Sequence, residues 1–213
     1  MIDAIIVTSV IDTPQKKLSY SAQRSVFNAD ERLSQTIATI DSIRRYHPTA
    51  KIFLAEGGEK SYQDVFSGIV DHYLYCADSA IVALGVRSKF KALGEIFLVE
   101  RALKEIKKEK GIRYIFKLSG RYQLTKDFDL SKWNIAKANF KTAAGTYSTR
   151  LYSIPPSSVN RFRTFLYCLI PSVFLGISIE RLFALFIPAR MVNKIDKLGI
   201  IGTIGVNGDS IEE

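Results

Sequence analysis

The chain is short of the residues that build metal centres and disulfide frameworks. It holds two cysteines, Cys76 and Cys168, far apart and without a CxxC pair. That usage argues for a reducing compartment and against a thiolate metal site. It holds two histidines, His47 and His72, with no ligand spacing between them. His47 precedes Pro48 at the end of a predicted helix, where a cation suits the dipole. There is no GxxxxGK[ST], and no GxGxxG follows the first apolar run. Those absences count against a P-loop nucleotidase and a dinucleotide enzyme. GxSxG and HExxH are missing as well, which removes the common serine-hydrolase and zinc-protease motifs. Internal repeats, low-complexity tracts and aromatic RNP strands are not found. No basic region precedes the first apolar run, so no signal peptide is expected.

What is present is a chain of 213 residues with 47% hydrophobic content, enough for one full core. Its formal charge is +9, which favours acidic partners: nucleic acid, anionic lipid or phosphate-bearing small molecules. Short runs rich in β-branched residues alternate with amphipathic stretches. Strands are expected at Ile5–Val10, Lys51–Ala55, Asp71–Cys76 and Tyr114–Leu118. Helices are expected over about Asp30–Tyr46, capped by Asp30 or Asn28, and over about Ser88–Lys110. This alternation predicts an α/β fold with a mostly parallel sheet covered on both faces. Residues 12–27 read as a loop over the sheet's upper edge, and Ser61–Phe66 as a short helix. Asn139–Tyr147 and Thr149–Ile154 read as antiparallel strands around Gly145. Leu198–Val206 is a glycine-spaced strand.

The apolar run Phe165–Ile179 covers about 15 residues, whereas a bilayer-spanning helix needs about 20. Three readings stand for it: core helices broken near Pro171 or Gly176, an interfacial anchor, or a spanning helix. The shortness and the charges at Glu180-Arg181 favour core helices, and nearby arginines keep the interfacial reading open.

The centre of the pattern is Gly111–Thr125. A buried strand ends at Ser119-Gly120, and Arg121 and Tyr122 follow. Ligands of open α/β sheets collect beyond the carboxyl ends of the strands. Lys117, Ser119, Gly120 and Arg121 thus stand where a phosphate-bearing ligand is expected, with Gly120 admitting close backbone approach and Arg121 offering a planar fork of donors. The plain alternative is a turn with a solvated arginine. The string Asp127-Phe128-Asp129 is a DxD, a pattern that can chelate a divalent cation. Its place beyond the strand break favours a structural turn. Asp78 reads as a turn or cap at the exit of the third strand. Glu180 is exposed, paired with Arg181, or turned into a cleft as a general base.

With its first strand ending Val-Thr-Ser, its later Phe-Lys-Leu-Ser-Gly-Arg-Tyr and its closing Leu-Gly-Ile-Ile-Gly-Thr-Ile-Gly-Val-Asn-Gly, the chain resembles the small GT-A glycosyltransferases of viral and bacterial surface-glycan assembly. The resemblance implies a Rossmann-like three-layer fold with a C-terminal helical and β appendage. It is read as one domain over 1–213, with a nucleotide-binding half at 1–125 and an acceptor-side half at 126–213. The implied activity is transfer of a hexose or deoxyhexose from a nucleotide-diphosphate donor, UDP-linked in the leading version. The implied acceptor is a glycan or lipid-linked sugar of the lipopolysaccharide or capsule kind. Thr8 and Ser9 would hold the nucleoside, and Lys91, Lys117, Ser119, Gly120, Arg121 and Tyr122 the rest of the donor. The chain departs from the family pattern at the metal site, because Ser119-Gly120-Arg121 stands where a DxD normally follows the fourth strand. Either no cofactor is required, with Arg121 and Lys117 or Lys91 in its place, or a Mn or Mg ion is held by Asp127, Asp129 or Asp78. Inversion would require a base, Glu180 first and Asp78 second; retention would not. A cytoplasmic location is expected, at the inner face of a membrane touched through 159–192. The competing reading is a non-catalytic basic α/β module binding RNA or an anionic membrane surface. Dispersal of the basic residues favours the enzyme and makes nucleic acid the weaker partner.

Overall fold

A computed structural model describes residues 1–213. The chain begins with β1 (Ile2–Ser9), buried on both faces from Asp3 onward, as an interior parallel strand must be. Then come α1 (Ala29–Tyr46), β2 (Lys51–Glu56), the short α2 (Gln63–Phe66), β3 (His72–Tyr75), α3 (Ala80–Arg87), α4 (Lys91–Ile106) and β4 (Ile112–Ser119). The second half supplies β5 (Tyr122–Leu124), β6 (Ala138–Ala143), β7 (Thr146–Ile154), α5 (Val159–Phe174), α6 (Ile179–Phe186), β8 (Val192–Ile195), β9 (Ile200–Thr203) and β10 (Ser210–Glu212). Seven strands form the main sheet in the order β3-β2-β1-β4-β7-β6-β8. Its first four strands are parallel, β7 runs against β4 and β6, and β8 is again parallel to β6. A second sheet joins β5, β9 and β10. The four strands expected in one parallel sheet are all there.

Strand alternation divides the core. Ala4 and Ile6 face α4, α5 and α6, whereas Ile5, Val7, Phe116 and Leu118 pack with Ile40 and Ile43 of α1. Of the two predicted caps for α1, Asn28 is the one used. Its side chain accepts from the Glu31 amide, and Glu31 accepts from the Asn28 amide, closing a capping box. The long helix predicted from Ser88 begins instead at Lys91, and α3 precedes it as a separate helix. Ser88 accepts from the Phe90 amide and so turns the chain between the two. β10 was not expected, and Tyr147 belongs to the second strand of the β6–β7 hairpin.

His47 corrects one expectation. Its Nε2 lies 2.9 Å from Asp3 Oδ2, and burial pushes its pKa below the ordinary histidine value despite that carboxylate. It is an internal partner of Asp3, which Arg113 also grips at 2.7 and 2.9 Å, and not a cation serving the helix dipole.

The apolar run forms helices broken between α5 and α6, at Gly176 with its φ of 80°. Pro171 stays inside α5. It deprives the Tyr167 carbonyl of a partner, but Tyr167 and Pro171 are both exposed, so water can serve that group. Arg163 of α5 binds Glu100 of α4 at 3.0 Å through Nε. No helix is long and apolar enough to cross a membrane.

Candidate active site

At the carboxyl end of the parallel strands, β1 and β4 bring Thr8 beside Ser119. The Gly120 amide donates to the Thr8 carbonyl at 2.9 Å. A Cβ on Gly120 would stand 3.2 Å from that carbonyl and 3.3 Å from Ser9 Cβ. The close approach that Gly120 permits is therefore to β1, beneath the site. Ser9 points to α1, where its hydroxyl meets Thr36 at 3.0 Å.

Lys117 is 2% exposed, on the face of β4 that meets α4. Its ammonium touches the Glu95 carboxylate and donates to Ser119 Oγ and the Thr149 carbonyl, each at 2.7 Å. Burial lowers its pKa, while Glu95 pulls the other way. Thr8 donates to Glu95 at 3.4 Å, and Thr149 Oγ1 donates to Glu180 at 2.9 Å. A polar chain thus runs from β1 through α4 and β4 to the first turn of α6. Lys117 is its inner support and not a surface contact. Glu95 and Thr149 were missed from sequence. The available signal was Lys117 itself: an ammonium in a buried strand needs a carboxylate, and α4 offers one four residues after Lys91.

Lys91, at the start of α4, lies within electrostatic range of Arg121, Glu95 and Glu180. Lys91 is exposed. Loss of solvation first, then the Arg121 charge, lowers its pKa to about 8, while Glu95 and Glu180 oppose the shift. No carboxylate lies within ion-pair distance of Lys91 or Arg121. The start of α4 adds the positive end of its dipole. The loop after β1 crosses this edge. Its Ser19 amide donates to Lys89 at 2.9 Å and its Val26 amide to Gly205 at 2.8 Å, with Arg24 bound to the Val86 carbonyl. Buried Glu56, at the end of β2, holds the loop's base by accepting from the Ile11 and Gly58 amides at 2.9 and 2.7 Å.

The glycine spacing near the carboxyl end of the chain serves Arg121. Its Nε reaches the Thr203 carbonyl at 3.4 Å, and its guanidinium lies over Gly205. A Cβ on Gly202 would fall 2.2 Å from the Arg121 carbonyl. Gly202→Ala should therefore prise β9 from β5, at a cost of about 1–3 kcal/mol in urea unfolding. A variant as stable as the parent would show that the two strands have room to part.

The remaining sequence candidates lie elsewhere. Tyr122 is buried in β5, and its hydroxyl accepts from Arg150 at 3.3 Å, so it faces away from the mouth. Asp78 faces Arg101 at 3.6 Å. Asp127 pairs with Lys197 at 2.7 Å, and Asp129 accepts from the Ser131 amide. The ring between them, Phe128, packs against His47 at 5.9 Å, which in turn binds Asp3 at the amino end of β1. The DxD string is a turn at the opposite end of the sheet. With Arg121 and Lys91 unpaired and Glu95 already engaged, the donor set at the mouth does not fit a divalent cation.

No protein-family model matches the chain, and no curated protein is detectably similar to it in sequence. Solved structures do resemble it. Two of the glycosyltransferase GlyE from Streptococcus pneumoniae TIGR4, one of them the apo form, superpose with TM-scores of 0.51 and 0.52 at 12% identity, covering 92% of this chain. A glycosyltransferase involved in glycosylation of the major capsid of PBCV-1 gives 0.47 at 8% identity, covering 90% of this chain and 82% of that one. The chain spans about half the length of the GlyE chains, 45% in each case. At such identity the likeness is one of architecture: this chain has the GT-A-type α/β fold of those glycosyltransferases.

Proposed function

We propose that this protein transfers a sugar from a nucleotide-diphosphate donor, UDP-linked in the leading version, to a glycan or lipid-linked acceptor. The observation that carries the reading is Arg121 standing just past the carboxyl end of β4 with no ion-pair partner, and Glu180 tied through Thr149 to Lys117 of that strand, with Lys91 within electrostatic range of both. The chemistry asks for that set. The bond from the anomeric carbon to the diphosphate breaks, and the departing group gains negative charge, which fixed cations stabilise without rearranging. The acceptor oxygen bonds to the anomeric carbon, and its proton passes to Glu180 if configuration inverts. Thr149 orients that carboxylate, and the Lys117–Glu95 pair holds the floor on which Thr8 and Ser119 stand. The two cations take the place of a divalent ion.

A thermal-shift panel tests this. A ligand that binds only the native state at 100 times its Kd stabilises it by about 2.7 kcal/mol. UDP should raise the melting temperature without added metal, and RNA should not; the reverse result would favour the nucleic-acid module. The panel also reads Lys91. With a pKa near 8, Lys91 loses its proton above that pH in the free protein, whereas a bound diphosphate favours the protonated form. UDP affinity should therefore weaken as pH rises through about 8, and Lys91→Arg should flatten that limb. A flat profile in the parent would remove Lys91 from the donor site.

A further inference from the structure

The structure assigns a second surface to this protein: we propose that the α5–α6 hairpin docks on an anionic lipid membrane. Three observations converge there. The outer face of α5 presents Thr164, Tyr167, Cys168, Pro171, Phe174 and Leu175, all exposed and uncharged, at helical spacing. The end of α6 adds Leu185 and Phe186. Leu175 is 79% exposed, Leu185 61%, Phe174 57% and Phe186 56%, so four large apolar side chains of one helical pair stand in water. Charge supplies the partner. Residues 130–195 hold nine lysines and arginines and one acid, Glu180, against 30 and 21 in the whole chain. Of these, Arg163 faces Glu100, and Lys141 and Arg150 face Glu213, while exposed Arg161, Arg181 and Arg190 border the apolar hairpin.

An apolar face rimmed by arginines matches an interface of acyl chains below and anionic headgroups above. A protein partner would need acidic side chains around an apolar groove; the lipid surface provides both properties continuously. No helix here can span a bilayer, so the contact is at the surface. Glu180 and Phe186 share α6, and six residues at 1.5 Å each separate them by about 9 Å along its axis. The mouth of the cleft would then open beside the headgroups, within reach of a lipid-borne acceptor. That last consequence rests on the glycosyltransferase reading; the docking itself does not.

Flotation of the full chain with vesicles tests the docking and reads no transfer activity. At low salt the protein should float with phosphatidylcholine vesicles containing phosphatidylglycerol, and about tenfold or more less with phosphatidylcholine alone. Leu175→Ser with Phe186→Ser should lower binding about tenfold with an unchanged melting temperature, because both residues are exposed. Arg181→Gln with Arg190→Gln should weaken it comparably and reduce its salt dependence. Val65→Ser, at an exposed apolar residue on α2, should have no effect. Equal flotation with neutral vesicles, or none with either, would overturn the proposal. So would self-association in sedimentation that the Leu175 and Phe186 changes abolish, because a second copy would then cover the hairpin.

Discussion

Arg121→Lys is expected to lower turnover roughly a hundred- to thousand-fold, a loss of about 2.7–4 kcal/mol in transition-state stabilisation. The charge is retained, so the effect isolates geometry. The guanidinium lies beside Gly205, with Nε on the Thr203 carbonyl at 3.4 Å and Cζ 5.9 Å from the centre of the Tyr122 ring. Its remaining donors have no carboxylate to satisfy them and face the mouth of the cleft. A lysine places one compact charge where the fork offered several directed N–H groups, and cannot span two phosphate oxygens in the same way. Arg121→Ala should be at least as damaging. Neither change should greatly alter the unfolding midpoint, because Arg121 makes no ion pair whose loss would strand a buried charge. Turnover of a UDP-sugar, measured with and without EDTA, checks both halves of the idea. Transfer should survive chelation. Restoration by Mn²⁺ after loss in EDTA would return a metal to the mechanism. Transfer by Arg121→Ala within about twofold of the parent, ~0.4 kcal/mol, would take Arg121 out of it.

The second large effect is on stability. Lys117→Met keeps most of the side-chain volume and removes an ammonium that is 2% exposed. Glu95 would lose its cation and keep only the Thr8 hydroxyl, and Ser119 and the Thr149 carbonyl would lose the ammonium donor. Removing one member of a buried ion pair costs about 3–5 kcal/mol. The lower end applies here, since the Glu95 side chain is 22% exposed and water can reach it. Even that is a large share of the 5–15 kcal/mol that holds a typical domain. Adding Glu95→Leu should recover most of the loss, because an apolar pair can replace a buried ion pair at little cost. Urea unfolding of the parent, both single variants and the double completes the cycle. A Lys117→Met protein within about 1 kcal/mol of the parent would mean that the pair is not the support described, since that is the scale of an ordinary surface pair.

The two residues differ in how far the sequence revealed them. The place of Arg121 was legible, because a residue directly after a buried parallel strand stands at the carboxyl edge of the sheet, although a turn with a solvated arginine fitted the sequence as well. The role of Lys117 was only half legible. Its strand and burial could be read from its apolar neighbours, but the neutralising carboxylate could not be identified, since α4 carries Glu95 and Glu100 near its inner face. The structure gives Glu95 to Lys117 and Glu100 to Arg163. That assignment depends on how α4 lies across the sheet and on the position of α5, which no local pattern encodes.

Short β-branched runs determined the four parallel strands, apolar periodicity the two long amphipathic helices, and Pro171 and Gly176 the break in the apolar run. In each, the residue that faces the core is fixed by a period of 2 or 3.6 along the chain. Tertiary structure alone decided where the acidic strings went. β4 ends at the carboxyl edge of the sheet, but β5 turns the chain down along α1, where the Leu124 amide meets Ser42 at 2.9 Å. By Asp127 and Asp129 the chain has reached the amino end of β1, so a DxD a few residues past a strand end lies at the far side of the sheet. Glu180, about 50 residues later in sequence, is brought to the carboxyl side of the sheet because β7 pairs antiparallel with β4 and sets Thr149 beside it. Sequence distance says nothing about such meetings; strand pairing and helix packing fix them. The sequence therefore specified the fold class and the cation at the sheet edge, and the packing of β5, β7, α4 and α6 decided which carboxylates lie on that side of the sheet.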